Sequence, residues 1–227
     1  MKRGRKPTID AADITRAAIA IADAEGLAAV SMARVAQEMG NATMALYRHV
    51  KNKDELLALM WDEAMEDPPP LPDGEWRDKL GFWAKAVLRA IRRRPWFLQI
   101  PISGPPSGPR NLAWLESALT ALDGTPLESG EKIGVVMGLS TFVQGEARLV
   151  GTLSQGFEED PDRFNHQYGQ VLREIVDPRK MPALAKIIAA GVFDYDDVNT
   201  AEDLGADFDF GLHLFLEGVA AHIGGRA

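Results

Sequence analysis

The sequence predicts an all-α fold: an N-terminal helix-turn-helix head of three helices, followed by a larger helical domain. Three observations carry this. Apolar residues recur at helical spacing in segment after segment, and no convincing strand alternation or internal repeat is present. Glycine and proline fall between those segments rather than inside most of them. The charge is also unevenly divided. Residues 1–53 hold nine Lys/Arg against five Asp/Glu, whereas residues 54–227 hold sixteen against twenty-eight, for a net charge of −8. A basic head on an acidic body is the distribution expected of a nucleic-acid reader carried by a separate domain. The head attracts phosphates and the body limits non-specific association.

The chain of 227 residues suffices for one small and one medium domain, and 46% hydrophobic content supports a real core. Without cysteine there are no disulfides, no thiolate nucleophile and no cysteine-ligated zinc, which fits a cytoplasmic protein. No apolar run reaches membrane-spanning length, and the basic start Met1–Pro7 is not followed by an apolar stretch, so neither a membrane span nor a secretory leader is expected.

Residues 2–6 carry four basic side chains, readable as a solvated tail or as an arm that orders on phosphates or a minor groove. Asp10 is placed to cap a first helix, with Asp13 in its first turn. Ile14, Ala17, Ala18, Ile21 and Ala24 form its apolar stripe, and Gly26 ends it. Ser31 caps a second short helix whose inward face is Val35, Ala36 and Met39. Gly40 suits the left-handed conformation that stops it. A third helix is expected to run through Leu46, Tyr47 and Val50, with Leu46 and Val50 in the core. Asn52 followed by Glu55 resembles a capping box opening a fourth helix over Asn52–Met65.

Pro68–Gly74, with four prolines, is the clearest punctuation in the chain. Organisation therefore reads as a head over 1–53, a connector helix and linker over 54–74, and a body over 75–227. In the body, helices are expected over Trp76–Arg94, Arg110–Leu122, Glu128–Leu153, Pro161–Val176, Met181–Ala190 and Phe208–Ile223, with Pro101–Pro109 as a loop. Arg92, Arg93 and Arg94 would complement the negative end of their helix. Asp194–Asp209 holds seven acidic residues but lacks the alternation and central glycine of a calcium loop, so it reads as a solvated stretch. Two apolar faces, Gly134/Gly138/Leu139/Phe142 and Phe208/Leu212/Phe215/Leu216/Val219, offer more apolar surface than one modest domain needs. They point to a homodimer or else to internal core.

The string Leu46-Tyr47-Arg48-His49-Val50-Lys51-Asn52-Lys53-Asp54-Glu55-Leu56-Leu57, preceded by Ala24-Glu25-Gly26-Leu27, resembles the recognition helix and following helix of the tetracycline-repressor (TetR) family. More loosely, Trp76-Arg77-Asp78 with Leu80, Leu115-Glu116 with Leu119, and Phe210-Gly211-Leu212 with Leu214 and Gly218 resemble the tetracycline-repressor type of C-terminal domain. The resemblance implies a ligand-responsive transcriptional repressor that binds a pseudo-palindromic operator in double-stranded DNA as a homodimer. It implies an inducer pocket between the middle helices and a dimer interface on the last two long helices, here including Gly138, Phe142, Phe208, Leu212, Phe215, Leu216 and Val219. DNA contacts are expected from Ser31, Arg34, Asn41, Thr43, Met44, Ala45, Tyr47, Arg48, His49 and Lys53. Thr43 suits a base edge or phosphate, Met44 and Ala45 a thymine methyl, and Lys53 a phosphate beside free helix amides. Two positions depart from the family pattern. Ala33 stands where many members carry arginine, and Asn41 where valine is common. Both bear on operator sequence rather than on the DNA-binding role.

Trp83, Val87, Ile100, Trp114, Met137, Ser140 and Gln144 are the candidate pocket residues, against the plainer reading of aromatic and methionine side chains as core. A small, largely apolar effector is expected, with no cofactor and no metal. His49, His166, His213 and His222 do not stand where the tetracycline repressor's chelating histidines would, which disfavours a metal–tetracycline inducer. An enzyme is disfavoured because no nucleophile elbow, phosphate-cradling glycine loop or paired-His metal motif is present. The same residues are compatible with a ligand-free regulator, with an activator and, less well, with a helical protein adaptor.

Overall fold

The computed structural model describes residues 9–101, 107–159, 167–194 and 207–225. The basic arm at 2–6, the centre of the 101–109 loop, the start of the helix expected from Pro161, His166 and most of the acidic 194–209 stretch lie outside the described residues. Everything regular among those described is helical. None of these helices is long and apolar enough to cross a membrane. The chain divides into two compact units, residues 1–144 with 219–227, and residues 145–218.

The first unit begins with α1 (Ala11–Glu25), opened by a reciprocal capping box in which Asp10 accepts from the Asp13 amide at 2.7 Å and Asp13 accepts from that of Asp10 at 3.3 Å. Gly26 closes it at φ +82°. Leu27 and Val30 carry the chain through a single tight turn into α2 (Met32–Glu38), capped by Ser31 Oγ accepting from the Arg34 amide at 3.1 Å. Gly40 then adopts φ +63°, while its amide reaches Gln37 O and that of Asn41 reaches Ala36 O. This is the Schellman closure, which a β-carbon at residue 40 would strain. The third helix is shorter than its spacing predicts: α3 is Thr43–Leu46. The His49 amide bonds Leu46 O, three residues back, so the segment to His49 tightens into a turn.

α4 (Lys53–Ala64) starts at Asn52, whose side chain accepts from the Glu55 amide at 2.8 Å. Glu55 reaches back past Asn52 to the Lys51 amide at 2.5 Å, so the expected capping box is displaced by one residue. α1 packs on α4 and α2 on α3. Their core is Ile14, Ala18, Ile21, Val35, Leu46, Val50, Leu56 and Met60, all essentially solvent-free.

α5 (Trp76–Arg92), the short turn Pro95–Gln99, α6 (Pro109–Ala121) and the first half of α7 (Ser129–Glu159) complete this unit. α5 stops at Arg92. Instead of finishing the helix, Arg93 and Arg94 turn to acids: Arg93 pairs with Glu66 at 2.9 Å, and Arg94 with Asp23 at 3.4 Å. Trp96 Nε1 donates to Asp23 as well, at 2.7 Å.

The second unit contains α8 (Gln167–Ile175) and α9 (Pro182–Ala189), which close around Leu172, Val176 and Ile188. Arg173 pairs with Asp194 over Gly169, where a β-carbon would collide with that carboxylate. α10 (Asp207–Gly224) is the last helix.

The face of α10 assigned to dimerisation requires correction. Phe208, Leu212, Leu216 and Val219 are buried within the chain itself, each less than a tenth exposed, and Phe215 is half-buried. Their spacing of four, four and three residues marks the side of the helix turned to its own core. The opposite side carries Phe210, Leu214, Gly218 and Ala221, all exposed. On α7, Leu139 is likewise core, and Gly138 and Phe142 are half-buried; the exposed side runs through Gly134, Met137, Thr141, Gly145 and Leu149.

Candidate nucleic-acid interface and body cavity

The loop from α2 through α3 to the start of α4 brings six expected contact residues to the head surface. Met44 is 72% exposed and Tyr47 43%, with Arg48, His49 and Lys53 exposed and Thr43 half-buried. Leu46 and Val50 anchor the segment from beneath. The geometry presents a methionine thioether and a threonine hydroxyl at the start of a short helix, flanked by cations and a phenol. Ala45 is half-buried beside them, and Ser31 is exposed with its Oγ engaged in capping α2.

Two expected contacts are occupied within the protein. The Arg34 guanidinium lies between Glu25 at 2.6 Å and Glu38 at 2.8 Å. Hydrogen bonds to Glu25 first and Glu38 second raise its pKa above the ordinary arginine value. Asn41 turns its amide to Met39 O at 2.7 Å, using its polarity to close the turn where an apolar residue would pack.

All seven expected pocket residues line a single cavity of about 500 Å³ in the first unit. Its wall takes Trp83, Val87 and Ile91 from α5, Phe97 and Ile100 from the following turn, Asn111, Trp114 and Leu115 from α6, and Val136, Met137, Ser140 and Gln144 from α7. Spacing in the sequence does not reveal the contribution of α4, namely Ala58, Trp61 and Met65, nor that of Ser107 and Gly108 before α6. Trp61 stacks on Phe97 with centroids 3.9 Å apart, and Trp83 meets Trp114 edge-on at 6.2 Å.

Behind this wall α4 is tied to the start of α6 by buried polar contacts. Asp62, 7% exposed, accepts from the Asn111 amide at 2.8 Å, from Asn111 Nδ2 at 2.7 Å and from the Arg110 amide at 3.4 Å. A carboxylate on one helix thus satisfies free amides at the N-terminus of another and complements its dipole. Gly108 permits the approach, since a β-carbon there would run into the Asp62 carboxylate. Trp61 Nε1 donates to Asn111 Oδ1 at 3.0 Å, and Arg110 pairs with Glu63. Trp114 Nε1 donates to Glu66 O at 3.2 Å, while Trp83 Nε1 donates to Trp114 O at 3.0 Å. Glu66 itself sits at φ +57°, the left-handed position just past α4. Nothing in the sequence marks Asp62 as buried, because an acid at that spacing reads as a solvated helical side chain.

Residues 14–60 match the family of bacterial regulatory proteins of the tetR type, and residues 68–223 match the tetracyclin repressor-like C-terminal domain. The chain is 36% identical over 230 residues to the HTH-type transcriptional repressor DrrR1 of Streptomyces coeruleorubidus, covering 99% of this chain and 82% of that protein. It is 27% identical to an HTH-type transcriptional regulator of Saccharopolyspora erythraea, over 96% of this chain and 88% of that one. Among solved structures it is similar to ActR of Streptomyces coelicolor in complex with actinorhodin, at 28% identity and a TM-score of 0.77, covering 98% of this chain and all of that one. Two family-specific domains that together account for most of the sequence, and a repressor relative matched along nearly the whole chain, place this protein in the TetR family of DNA-binding transcriptional regulators.

Proposed function

We propose that this chain is a cytoplasmic, homodimeric repressor whose hold on a pseudo-palindromic operator is released by a small, largely apolar molecule entering the body cavity. One observation carries the reading: α4 contributes both to the DNA-facing end of the head and to the cavity wall. Its first residue, Lys53, is exposed beside the recognition segment, and Ala58, Trp61 and Met65 line the cavity. ActR, similar in fold and sequence, has been solved with actinorhodin and with (S)-DNPA, which supports a ligand in this type of body.

In this reading Met44, Ala45 and Thr43 read base edges while Tyr47, Arg48, His49 and Lys53 hold the backbone. Ser31, Arg34 and Asn41 border that surface, the last two engaged in the free protein. Two recognition segments related by a two-fold axis would meet successive major grooves about 34–36 Å apart. A ligand acts only through its different affinities for the two states of the dimer. A tenfold loss of operator affinity requires about 1.4 kcal/mol of coupling, within the range of allosteric proteins. Occupying the cavity presses on Trp61, Asn111 and Trp114, the side chains through which α4 is tied to α6. Shifting that tie tilts α4 and changes the spacing of the recognition segments. The exposed small and apolar sides of α7 and α10, through Gly134, Leu149, Phe210 and Leu214, suit the partner subunit, with Gly138 and Phe142 half-buried beside them.

The test is operator binding by fluorescence anisotropy at fixed salt, with and without candidate effectors. Saturable binding to one palindrome, weakened tenfold or more by a cavity ligand, is expected. Operator affinity unchanged by every molecule that binds the cavity refutes the effector reading. Sedimentation should give a dimer of the 24.8 kDa chain; a monomer at micromolar concentration overturns that part.

A further inference from the structure

We propose that Glu25 and Glu38 limit the affinity of the head for DNA by holding Arg34, in the first turn of α2, away from the phosphate backbone. The inference rests on the head being the DNA-reading element, as in the reading above, and involves neither the cavity nor an effector.

The first observation is geometric. The Arg34 guanidinium spans from the last residue of α1 to the last residue of α2. Its Nη2 donates to Glu25 at 2.6 Å and its Nη1 to Glu38 at 2.8 Å. With an acid on each terminal nitrogen, the fork that would take a phosphate is already filled. Arg34 is half-buried and both acids are exposed, so the group lies at the surface rather than in the core. α2 packs on α3, which places this surface at the border of the recognition segment.

The second observation is the distribution of charge. Residues 9–53 hold five Lys/Arg and five Asp/Glu, so the positive excess of the head lies in the 2–6 arm. Within 9–53, Arg16 pairs with Asp13 and Arg34 with two acids. The other three cations, Arg48, Lys51 and Lys53, are exposed and join no ion pair among the described residues. Phosphate attraction in this part of the head is therefore concentrated on the recognition segment. Beside it stands a guanidinium that two carboxylates overcompensate.

The consequence concerns selectivity. A phosphate contact carries no sequence information and strengthens binding to every sequence alike. Non-operator sites greatly outnumber operators, so withholding one such contact lowers the fraction of the protein that they capture.

The experiment uses the full chain and two duplexes. One is a palindrome selected from a random library with the unaltered chain; the other is the same duplex with both half-sites scrambled. Fluorescence anisotropy over a salt series gives affinity and the slope of log K against log salt. Glu25→Gln/Glu38→Gln should bind both duplexes about threefold or more tightly at low salt, with the slope steeper by about one unit. Removing two negative charges without a new phosphate contact would raise affinity and leave the slope as it was. In an Arg34→Ala background the same two changes should therefore leave the slope unaltered. Glu38→Gln alone frees Nη1 and keeps the tie to α1, and should act in the same direction to a lesser degree. It serves if thermal unfolding shows the double variant to be misfolded.

An unaltered slope in the folded variants overturns the inference. So does an equal steepening with and without Arg34. Weaker DNA binding by a variant of unchanged thermal stability overturns it too, and assigns Arg34 to setting α2 against α1. If the library yields no palindrome while the scrambled duplex shows the expected slopes, this inference stands and the operator reading falls. A selected palindrome with unaltered slopes does the reverse.

Discussion

The proposed DNA-reading face and the body cavity pose opposite physical problems. The face is contiguous in sequence: within residues 43–53, Met44, Tyr47, Arg48, His49 and Lys53 are exposed while Leu46 and Val50 are buried beneath them. The cavity is concave and apolar, and its wall is drawn from segments between Ala58 and Gln144. A surface made by one local segment depends on caps and turns. A cavity made by several helices depends on how they pack, and on the polar ties that keep them apart. Asp62, Asn111 and Gly108 provide such a tie between α4 and α6, and α4 is the helix common to both regions.

The largest test of this division is Leu46→Ala. Removing a fully buried head side chain should destabilise by about 2–5 kcal/mol, read by denaturant unfolding, and should abolish operator binding. Ligand binding to the cavity, measured below the unfolding transition, should persist. If it disappears in step with DNA binding, the two regions are one cooperative unit and the contrast fails.

Asp62→Ala comes next. It leaves the amides at the start of α6 and the Asn111 side chain without their acceptor, at a cost of about 1–3 kcal/mol. Ligand affinity should change less than the ratio of operator affinities with and without ligand. An unaltered ratio would show that Asp62 holds the fold without linking the sites.

Lys53→Ala should weaken operator binding similarly on every sequence and reduce the slope of log K against log salt by about one unit. Thr43→Ala should instead change base preference at one position per half-site. A Thr43 variant with an unaltered preference profile removes that side chain from direct readout.

Arg34→Ala is the smallest. Its guanidinium is engaged by Glu25 and Glu38, so operator affinity should change by less than about threefold, in line with an exposed ion pair. A tenfold or greater loss would mean that these pairs open on DNA and that the face is larger than the free protein presents.

The dimer surface shows where periodicity alone reached its limit. Phe208, Leu212, Leu216 and Val219 form a clear apolar stripe, yet that stripe faces inward. The outward side, Phe210, Leu214, Gly218 and Ala221, is apolar too. With both sides of α10 apolar, spacing cannot assign one to the core and the other to a partner. The first helix of the head shows the same limit on a smaller scale: spacing puts Ala24 on the inward stripe, where it is exposed, and leaves out Ile19 and Ala22, which are buried.

By itself the sequence determined the head: the Asp10, Ser31 and Asn52 caps, the Gly40 turn, the buried Leu46 and Val50 and, through the family resemblance, the exposure of Tyr47, Arg48, His49 and Lys53. These are local interactions, complete within a few residues, so the order of side chains is enough to specify them. It also marked the seven cavity residues on α5, α6 and α7 and the turn between them, because a resemblance supplied the helix arrangement that spacing lacks. Only the tertiary structure decided that α4 shares the wall, that Asp62 is buried against the start of α6, that Arg34 and Asn41 are engaged within the head, and which side of α10 is core. Each of these depends on which other element comes to lie against a side chain. That is fixed by packing across the whole unit and leaves no period or motif in the chain.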